Sequence, residues 1–507
     1  MKKKIIDINN IENLVNSLKK KNKRIVHCHG VFDLLHIGHF NHFKSAKGYG
    51  DVLIVSITPD RYVQKGFNRP YFNADERLQG LANIEVVDFV VLNNAPDAVN
   101  IIKKIKPDYY CKGKEYKKFK DDITGQIKKE HGAVKSIKGK LVYTDDPNYS
   151  SSKILNNSAN TYDEKQKSFI EKVRSTTNIN ILNKKIDELK KLKVLIVGET
   201  IIDKYVFCEA LGKSGKEPHL VLRDLNEETY LGGVIAIARN ISDFSGKVTV
   251  LSMLGKDGEY EKLIKKNLAK NINTKFLYRD NCPTIVKKRY IEHISNNKVL
   301  GVYSMNDKLL SQKEEKKFEK ILSQEIKKHD RVIVSDYGHG LITKKIAKIL
   351  CKKSKFISLN AQSNASNIGY HSIQKYKNID CVVMNENELR HELRNKSDNT
   401  NLLIKQLSQI NNIENLIITK GLEGAILYNS KKNKFYTCPA FASRVVDKVG
   451  AGDTMLSIIS LLLNKKFEST VSLFLSSIAA AFTVEEISNK VPISKIKLLK
   501  YLKHITK

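Results

Sequence analysis

The sequence predicts two α/β domains in tandem, each built on a parallel sheet, with a small extra β-layer over the second. Three observations carry that expectation. Strand-like runs alternate with helix-compatible stretches from Lys23 to about Tyr149 and again from Lys193 onward, the pattern of parallel sheets covered on both faces. A polar stretch with no apolar core of its own separates the two regions. The chain, at 507 residues, is longer than one hydrophobic core normally fills.

In residues 1–150, KRIVHCHGVF (from Lys23) reads as a strand ending at a glycine, and HFNHFKSAKGYG as a helix stopped by glycines. DVLIVSIT (Asp51) and VVDFVVL (Val86) read as buried strands. Residues 151–191 are polar, with a helix-compatible second half, and read as a partly helical linker. From 192 to 507 the strand candidates are KVLIVGETIID (Lys193), KVTVLSML (Lys247), RVIVSDYG (Arg331), KFISLN (Lys355), DCVVMN (Asp380) and NLIITKG (Asn415). HLVLRDLNEETYLGG, from His219, is strand material outside that alternation and predicts a small β-lid. No internal repeat relates the two halves.

Composition narrows the function classes. Mean hydropathy is −0.36, and the most apolar late stretches, MLSIISLLL and VSLFLSSIAAAFTV, are too short or too broken by serine to span a bilayer. The opening MKKKIIDINNIENL turns polar too early for a signal peptide, so a cytoplasmic location is expected. Seven scattered cysteines without a CxxC pair exclude a zinc ribbon and a disulfide framework. The net charge of +34 comes from lysine spread along the whole chain. That distribution favours small anionic, phosphate-bearing substrates over a dedicated nucleic-acid surface.

Two motifs carry chemistry. In HGVFDLLHIGH, His36 and His39 lie one turn apart on a helix that begins just after a strand. There they would add donors to backbone amides that already favour phosphate, and Gly38 between them leaves room for a nucleotide. That suits stabilisation of the charge that builds up when an α-phosphate is attacked. In VVDKVGAGDTM, Gly450, Ala451 and Gly452 precede an apolar helix and would aim amides at phosphate. Asp453, as the first residue of that helix, would be placed to take a proton from an attacking hydroxyl. GAGD on its own equally fits a tight turn with an N-capping aspartate.

The stretch HGVFDLLHIGHFNHFKSAKGYGDVLIVSITPD resembles the cytidylyltransferase-like nucleotidyltransferases, above all the adenylyltransferase half of the bifunctional heptose 7-phosphate kinase/heptose 1-phosphate adenylyltransferases. Lys65, Arg69-Pro70, ADER around Arg77, KGKEY at Lys112 and YSSSKI follow in the family's order. The resemblance implies a Rossmann-like HxGH nucleotidyltransferase domain. His36, His39 and Lys65 would act on the triphosphate, with nucleotide held by Gly30, Phe32, Gly38, Lys112, Gly113, Ser150, Ser151 and Ser152. Asp33 would order the loop. HGVFD stands where the family has NGCFD, which leaves the base, ATP or CTP, open.

The region from about 192 to 500 resembles the ribokinase-like (PfkB-type) sugar kinases and implies a ribokinase-like α/β domain with a small β-lid. On that resemblance Asp203, Gly232 and Gly233 face the sugar. Asn385 and Glu388 organise Mg²⁺ and phosphate; Thr419, Lys420, Gly421 and Gly424 form the nucleotide-side loop. Gly450, Ala451 and Gly452 are the anion hole and Asp453 the base. SDYGHG at Ser335 matches the heptose-kinase SDYxKG. Two departures lie on the sugar side: Ala236 stands where the family has asparagine, and LNAQSNASN from Leu359 where it has Asp-Pro-Lys. The order of the halves is the reverse of the fused heptose enzymes. Together these imply a bifunctional sugar-activating enzyme using Mg²⁺ and ATP or CTP on small sugar phosphates, with a homodimer through the lid.

Overall fold

The computed structural model describes residues 4–63, 69–114, 126–144, 162–463 and 467–505. The chain forms two compact units, Met1–Lys167 with Leu499–Lys507, and Ser168–Leu498.

The first unit holds six described strands, β1 (Ile5–Ile6), β2 (Ile25–Gly30), β3 (Val52–Ile57), β4 (Phe89–Leu92), β5 (Tyr109–Gly113) and β6 (Lys140–Thr144). They pair in the order β1-β4-β3-β2-β5-β6, all parallel. The VLIVSI of β3 is buried at every position, as a strand covered on both faces requires. One face packs Phe43, Leu53, Leu78 and Leu81, the other Ile11, Ile54, Ile101 and Tyr110. After β2 the chain builds outward through β3 and β4, then returns to lay β5 on β2's other side. The order therefore reverses between β2 and β5, and the crevice at their carboxyl ends is the expected place for a ligand.

In the second unit nine strands form one sheet, in the order β11-β10-β7-β14-β15-β16-β17-β18-β19. In chain order its members are β7 (Lys193–Gly198), β10 (Lys247–Gly255), β11 (Ile272–Arg279), β14 (Arg331–Asp336), β15 (Ile357–Ala361), β16 (Ile379–Asn385), β17 (Ile413–Thr419), β18 (Ala425–Asn429) and β19 (Lys434–Cys438). Strands β11 through β17 are parallel; β18 and β19 add on antiparallel. The direction of growth reverses between β7 and β14, again marking a crevice.

A second, four-stranded sheet has the order β13-β12-β8-β9, from β8 (Thr200–Lys213), β9 (Leu220–Gly233), β12 (Ile285–Glu292) and β13 (Lys298–Ser304). The sequence predicts only β9 as lid. Strands β12 and β13 escape notice because KKR interrupts one and the other is exposed at every position, so neither carries a buried apolar run. Helices Glu164–Thr176 and Ile179–Glu188 occupy much of the segment expected to be a linker. Phe169 of the first packs on Phe441 and Phe474 of the second unit, so this stretch does find a core. Among the described residues no helix is long and apolar enough to cross a membrane.

Candidate active sites

At the carboxyl end of β2 the chain turns into the helix Ile37–Lys47. His36 is its N-cap: Nδ1 accepts from the Gly38 amide at 3.1 Å. His39, in the first turn, stacks on His36 with ring centroids 3.9 Å apart. Phe32 supports the pair from behind, edge-on to His39 at 5.4 Å. Its φ is +49°, and a Cβ on Gly30 would stand 2.9 Å from its ring, so Gly30 lets the phenyl fold back over the strand end.

A buried polar layer lies beneath. Ser56 Oγ contacts both His27 Nε2 (2.8 Å) and His29 Nδ1 (2.7 Å), and Thr58 Oγ1 meets His29 Nε2 at 3.2 Å. Burial, reinforced by Lys112, drives His27 down to about 3 and His29 well below its usual value, so both rings are neutral at physiological pH. Asp33 accepts the amides of Tyr71 (2.7 Å) and Phe72 (3.1 Å) and pairs with Arg69 Nε at 2.8 Å. Arg77, buried, ties the Val31, Thr58 and Phe72 carbonyls together. Both side chains fix the loop. Lys112 is buried with its ammonium 2.9 Å from Glu130 and 3.4 Å from the His29 carbonyl.

In the second unit the helix Ala451–Leu462 opens at Gly450. Gly450 has φ +91°, and a Cβ there would overlap the Asn489 side chain, so glycine is required on two counts. Gly452 faces open space, and neither its amide nor that of Asp453 has a backbone acceptor among the described residues. A helix start with unsatisfied amides is the kind of place where an anion can be received. Asp453 is the third residue of that helix, not the first as the sequence suggests, because the turn extends back to Ala451.

Burial, opposed by the Tyr337 hydroxyl, pushes Asp453 up to about 7, with Asp203 adding to the rise and Lys287 countering it. The Tyr337 hydroxyl donates to Asp453, 2.8 Å from Oδ1 and 2.9 Å from Oδ2. Asp203, on β8, pairs with Arg289 on β12. A Cβ on Gly232 would strike the Asp203 carboxylate, so that glycine makes room for the acid, while one on Gly233 (φ +57°) would strike the Glu199 main-chain carbonyl. Lys287, two residues from Arg289, is 7% exposed, lies over the Tyr303 and Tyr337 rings and has no ion-pair partner among the described residues. Burial pushes it down, while Asp203, Glu199 and Asp453 pull it up. Asp447, just before the glycines, joins this loop to the lid through Tyr205 (2.5 Å) and Lys298 (2.6 Å).

Behind the helix start lies a cavity of about 400 Å³ lined by Gln362, Asn385, Glu388, Thr419, Gly421, Gly424, Ala451 and Gly452 among others. Asn385 and Glu388 form the capping box of the helix Glu386–Leu393, each side chain accepting the other's amide at 2.8 Å. Burial, with a smaller push from Asp453, raises Glu388 to about 7.

Residues 191–495, more than half of the chain, match the pfkB family carbohydrate kinase. The chain belongs to the pfkB family of carbohydrate kinases. Residues 27–157 match the cytidylyltransferase-like family. The bifunctional protein HldE of Campylobacter jejuni strain RM1221 is 26% identical over 303 residues, 59% of this chain and 62% of that protein. HldE of Aliarcobacter butzleri is 41% identical over 133 residues, 26% of this chain and 28% of that protein. The chain thus spans under two thirds of the length of the curated relatives it matches. Among solved structures, Escherichia coli phosphofructokinase-2 in complex with potassium superposes with a TM-score of 0.51 at 14% identity, over 62% of this chain and all of that one.

In this pfkB-family chain Ala451 and Gly452 line the cavity together with Asn385, Glu388, Thr419, Gly421 and Gly424, and Asp203, beside Gly232, lies close enough to Asp453 to raise its pKa. Lys420 lies between two carboxylates. Its ammonium is 2.6 Å from Glu423 and 3.8 Å from Glu386, and it does not line the cavity. In the cytidylyltransferase-like unit Gly30, Phe32, Gly38, His36 and His39 cluster, and Lys112 and Gly113 end the adjacent strand β5. Lys65 and Ser150, Ser151 and Ser152 lie outside the described residues. Sequence reasoning assigned no role to Tyr337, Glu199, Lys287 or Arg289. Tyr337 and Glu199 stood in quoted motifs (SDYGHG, KVLIVGETIID), whereas the lysine and arginine sat in an unrecognised strand.

Proposed function

We propose that the chain is a bifunctional sugar-activating enzyme. Its second unit would phosphorylate a sugar phosphate with ATP, in the manner of heptose 7-phosphate phosphorylated at its anomeric hydroxyl. Its first would transfer a nucleotidyl group from ATP or CTP to a sugar 1-phosphate, giving a nucleotide sugar for surface glycans. The observation that carries the kinase reading is Asp453: a half-buried carboxylate pushed up to about 7 and held by the Tyr337 hydroxyl, in the first turn of a helix that opens at a glycine. A base is most effective when its pKa lies near the working pH. The substrate hydroxyl attacks the γ-phosphorus, its proton passes to Asp453, and ADP leaves while the helix amides meet the transferred charge.

Lys287 and Arg289 support a substrate that itself bears an anion. A buried lysine without a carboxylate partner among the described residues, two positions from an arginine, fits a phosphate brought in with the sugar. Ala236, buried in the helix Val234–Ser242, and the asparagine-rich 362–367 segment favour a sugar differing from the heptose. Magnesium fits the cavity side: Glu388 is a buried carboxylate raised to about 7, a state that an adjacent divalent cation reverses. Asn385 would assist, and a single carboxylate suffices because Mg²⁺ retains waters and phosphate oxygens. Bound there, the ion supplies charge neutralisation on the phosphates.

In the first unit, His36 and His39 with the amides of their helix would stabilise the α-phosphate as the sugar phosphate attacks and pyrophosphate leaves. Lys65 and Ser150 to Ser152 would hold the triphosphate. A homodimer through the lid is supported by Leu211, Leu220, Leu225 and Leu300, exposed on lid strands. The test combines the purified chain, MgATP or MgCTP, and matched panels of free sugars, sugar phosphates and sugar 1-phosphates, followed by ³¹P NMR. Phosphorylation restricted to sugar phosphates, and pyrophosphate release with sugar 1-phosphates, is the expected result. Phosphorylation of free sugars alone overturns the substrate class.

A further inference from the structure

Tyr337 closes a hydrogen-bonded frame around Asp453. Its phenol is 3% exposed, and burial followed by the Asp453 charge pushes it well above its usual value, so it stays protonated and donates its proton to Asp453. Its one proton serves two carboxylate oxygens at 2.8 and 2.9 Å. An incoming hydroxyl can therefore claim one oxygen while the tyrosine keeps the other, and no buried donor is stranded.

The tyrosine backbone is held at both ends. Its amide donates to Glu199 at 3.0 Å, and Glu199 also receives the His339 amide at 3.2 Å. Its carbonyl accepts two side-chain amides, Asn364 Nδ2 at 2.8 Å and Asn367 Nδ2 at 2.7 Å. The two asparagines are themselves joined, the Asn364 amide donating to Asn367 Oδ1 at 2.8 Å. Asp336, one residue before, is fixed by Lys375 and Tyr376, both at 2.6 Å. The asparagines belong to the segment LNAQSNASN, so the stretch that looks least orthodox in the sequence is the one that braces the tyrosine.

We propose that Tyr337 is a positioning residue that sets the orientation of the Asp453 carboxylate, and that Asn364 and Asn367 set Tyr337 in turn. This rests on the reading of Asp453 as the base of the kinase reaction. The other charged groups facing Asp453 are Asp203 on β8, Lys287 on β12 with Arg289 paired to Asp203, and Glu388 across the cavity. None of them occupies the carboxylate oxygens as the tyrosine does. Removing its donor leaves the carboxylate less well stabilised when charged, so the pH at which the base becomes active moves upward.

The test is kcat against pH for the intact chain, its Tyr337→Phe, Asn364→Ala and Asp453→Asn variants, with thermal melts to verify folding. Tyr337→Phe is expected to shift the acid limb up by about one pH unit and so to lower kcat at pH 7 about fivefold, with KM for both substrates changed less than about twofold. Asn364→Ala should move the same limb in the same direction by less. A folded Tyr337→Phe with an unshifted limb, beside an inactive Asp453→Asn, overturns the positioning role and leaves the base in place. A Tyr337→Phe that does not fold leaves the decision to Asn364→Ala, whose unshifted limb overturns the proposal. Kinase activity surviving in Asp453→Asn overturns the base itself and the proposal with it.

Discussion

The two units share one structural device and differ in what they place beside it. Each has a parallel sheet whose order reverses, and at the reversal a helix starts with a glycine in its approach or first turn. In the first unit that helix start carries two stacked histidines; in the second it carries a half-buried carboxylate held by a tyrosine. The difference follows the nucleophile each would serve. A sugar 1-phosphate already carries its negative oxygen, so the site needs only donors that stabilise charge. A sugar hydroxyl has a proton to lose, so the site needs a base with a pKa near 7. On the proposed function, one kind of helix terminus would serve two chemistries, with its first turn deciding between them.

That comparison can be broken at several points. The largest expected effect is from Asp453→Asn, which should lower ATP-dependent sugar phosphorylation by about a thousandfold in a coupled ADP-release assay. His39→Ala should lower pyrophosphate release by at least about a hundredfold, the cost of a lost transition-state donor. A third expectation concerns pH. Because the active form of Asp453 is the carboxylate, the kinase rate should be halved near pH 7 and fall about tenfold per unit below it. Nucleotidyl transfer should show no break at the same place, and a shared break would erase the distinction between donor and base. Gly450→Ala should cost about 1–3 kcal/mol in urea unfolding of the second unit, since it forces a side chain into φ +91° against Asn489.

The smallest effect concerns His27. Its folded pKa of about 3 lies below the ordinary 6.5, so its contribution to stability is full above pH 6.5 and is lost as pH falls toward 3. Amide exchange in Ile25–Gly30 should therefore quicken on acidification, and His27→Gln should flatten that dependence.

Most of the scaffold was legible. The buried runs DVLIVSIT, RVIVSDYG and NLIITKG all became sheet strands because a strand covered on both faces must be apolar throughout. The histidine pair and the GAGD turn were legible because their glycines and spacing have local causes. The lid was only partly so. IVKKRYIE forms a strand with a lysine and an arginine at positions between the buried Ile285 and Ile291, and their placement depends on Asp203 and the tyrosines of other strands, which periodicity cannot register. Tyr337 illustrates the same limit: its hydroxyl meets a carboxylate 116 residues away. Lys420 and Lys112 show the converse, since a motif position gave no sign that Glu423 and Glu130 would draw their ammonium groups.

The measurement that tests the central claim most directly is a crosswise assay by ³¹P NMR of Asp453→Asn and His39→Ala, alone and mixed, each confirmed folded. Two self-contained sites predict that Asp453→Asn retains pyrophosphate release without making phosphorylated sugar, that His39→Ala does the reverse, and that the mixture recovers both products. Loss of both activities in either folded variant would contradict it.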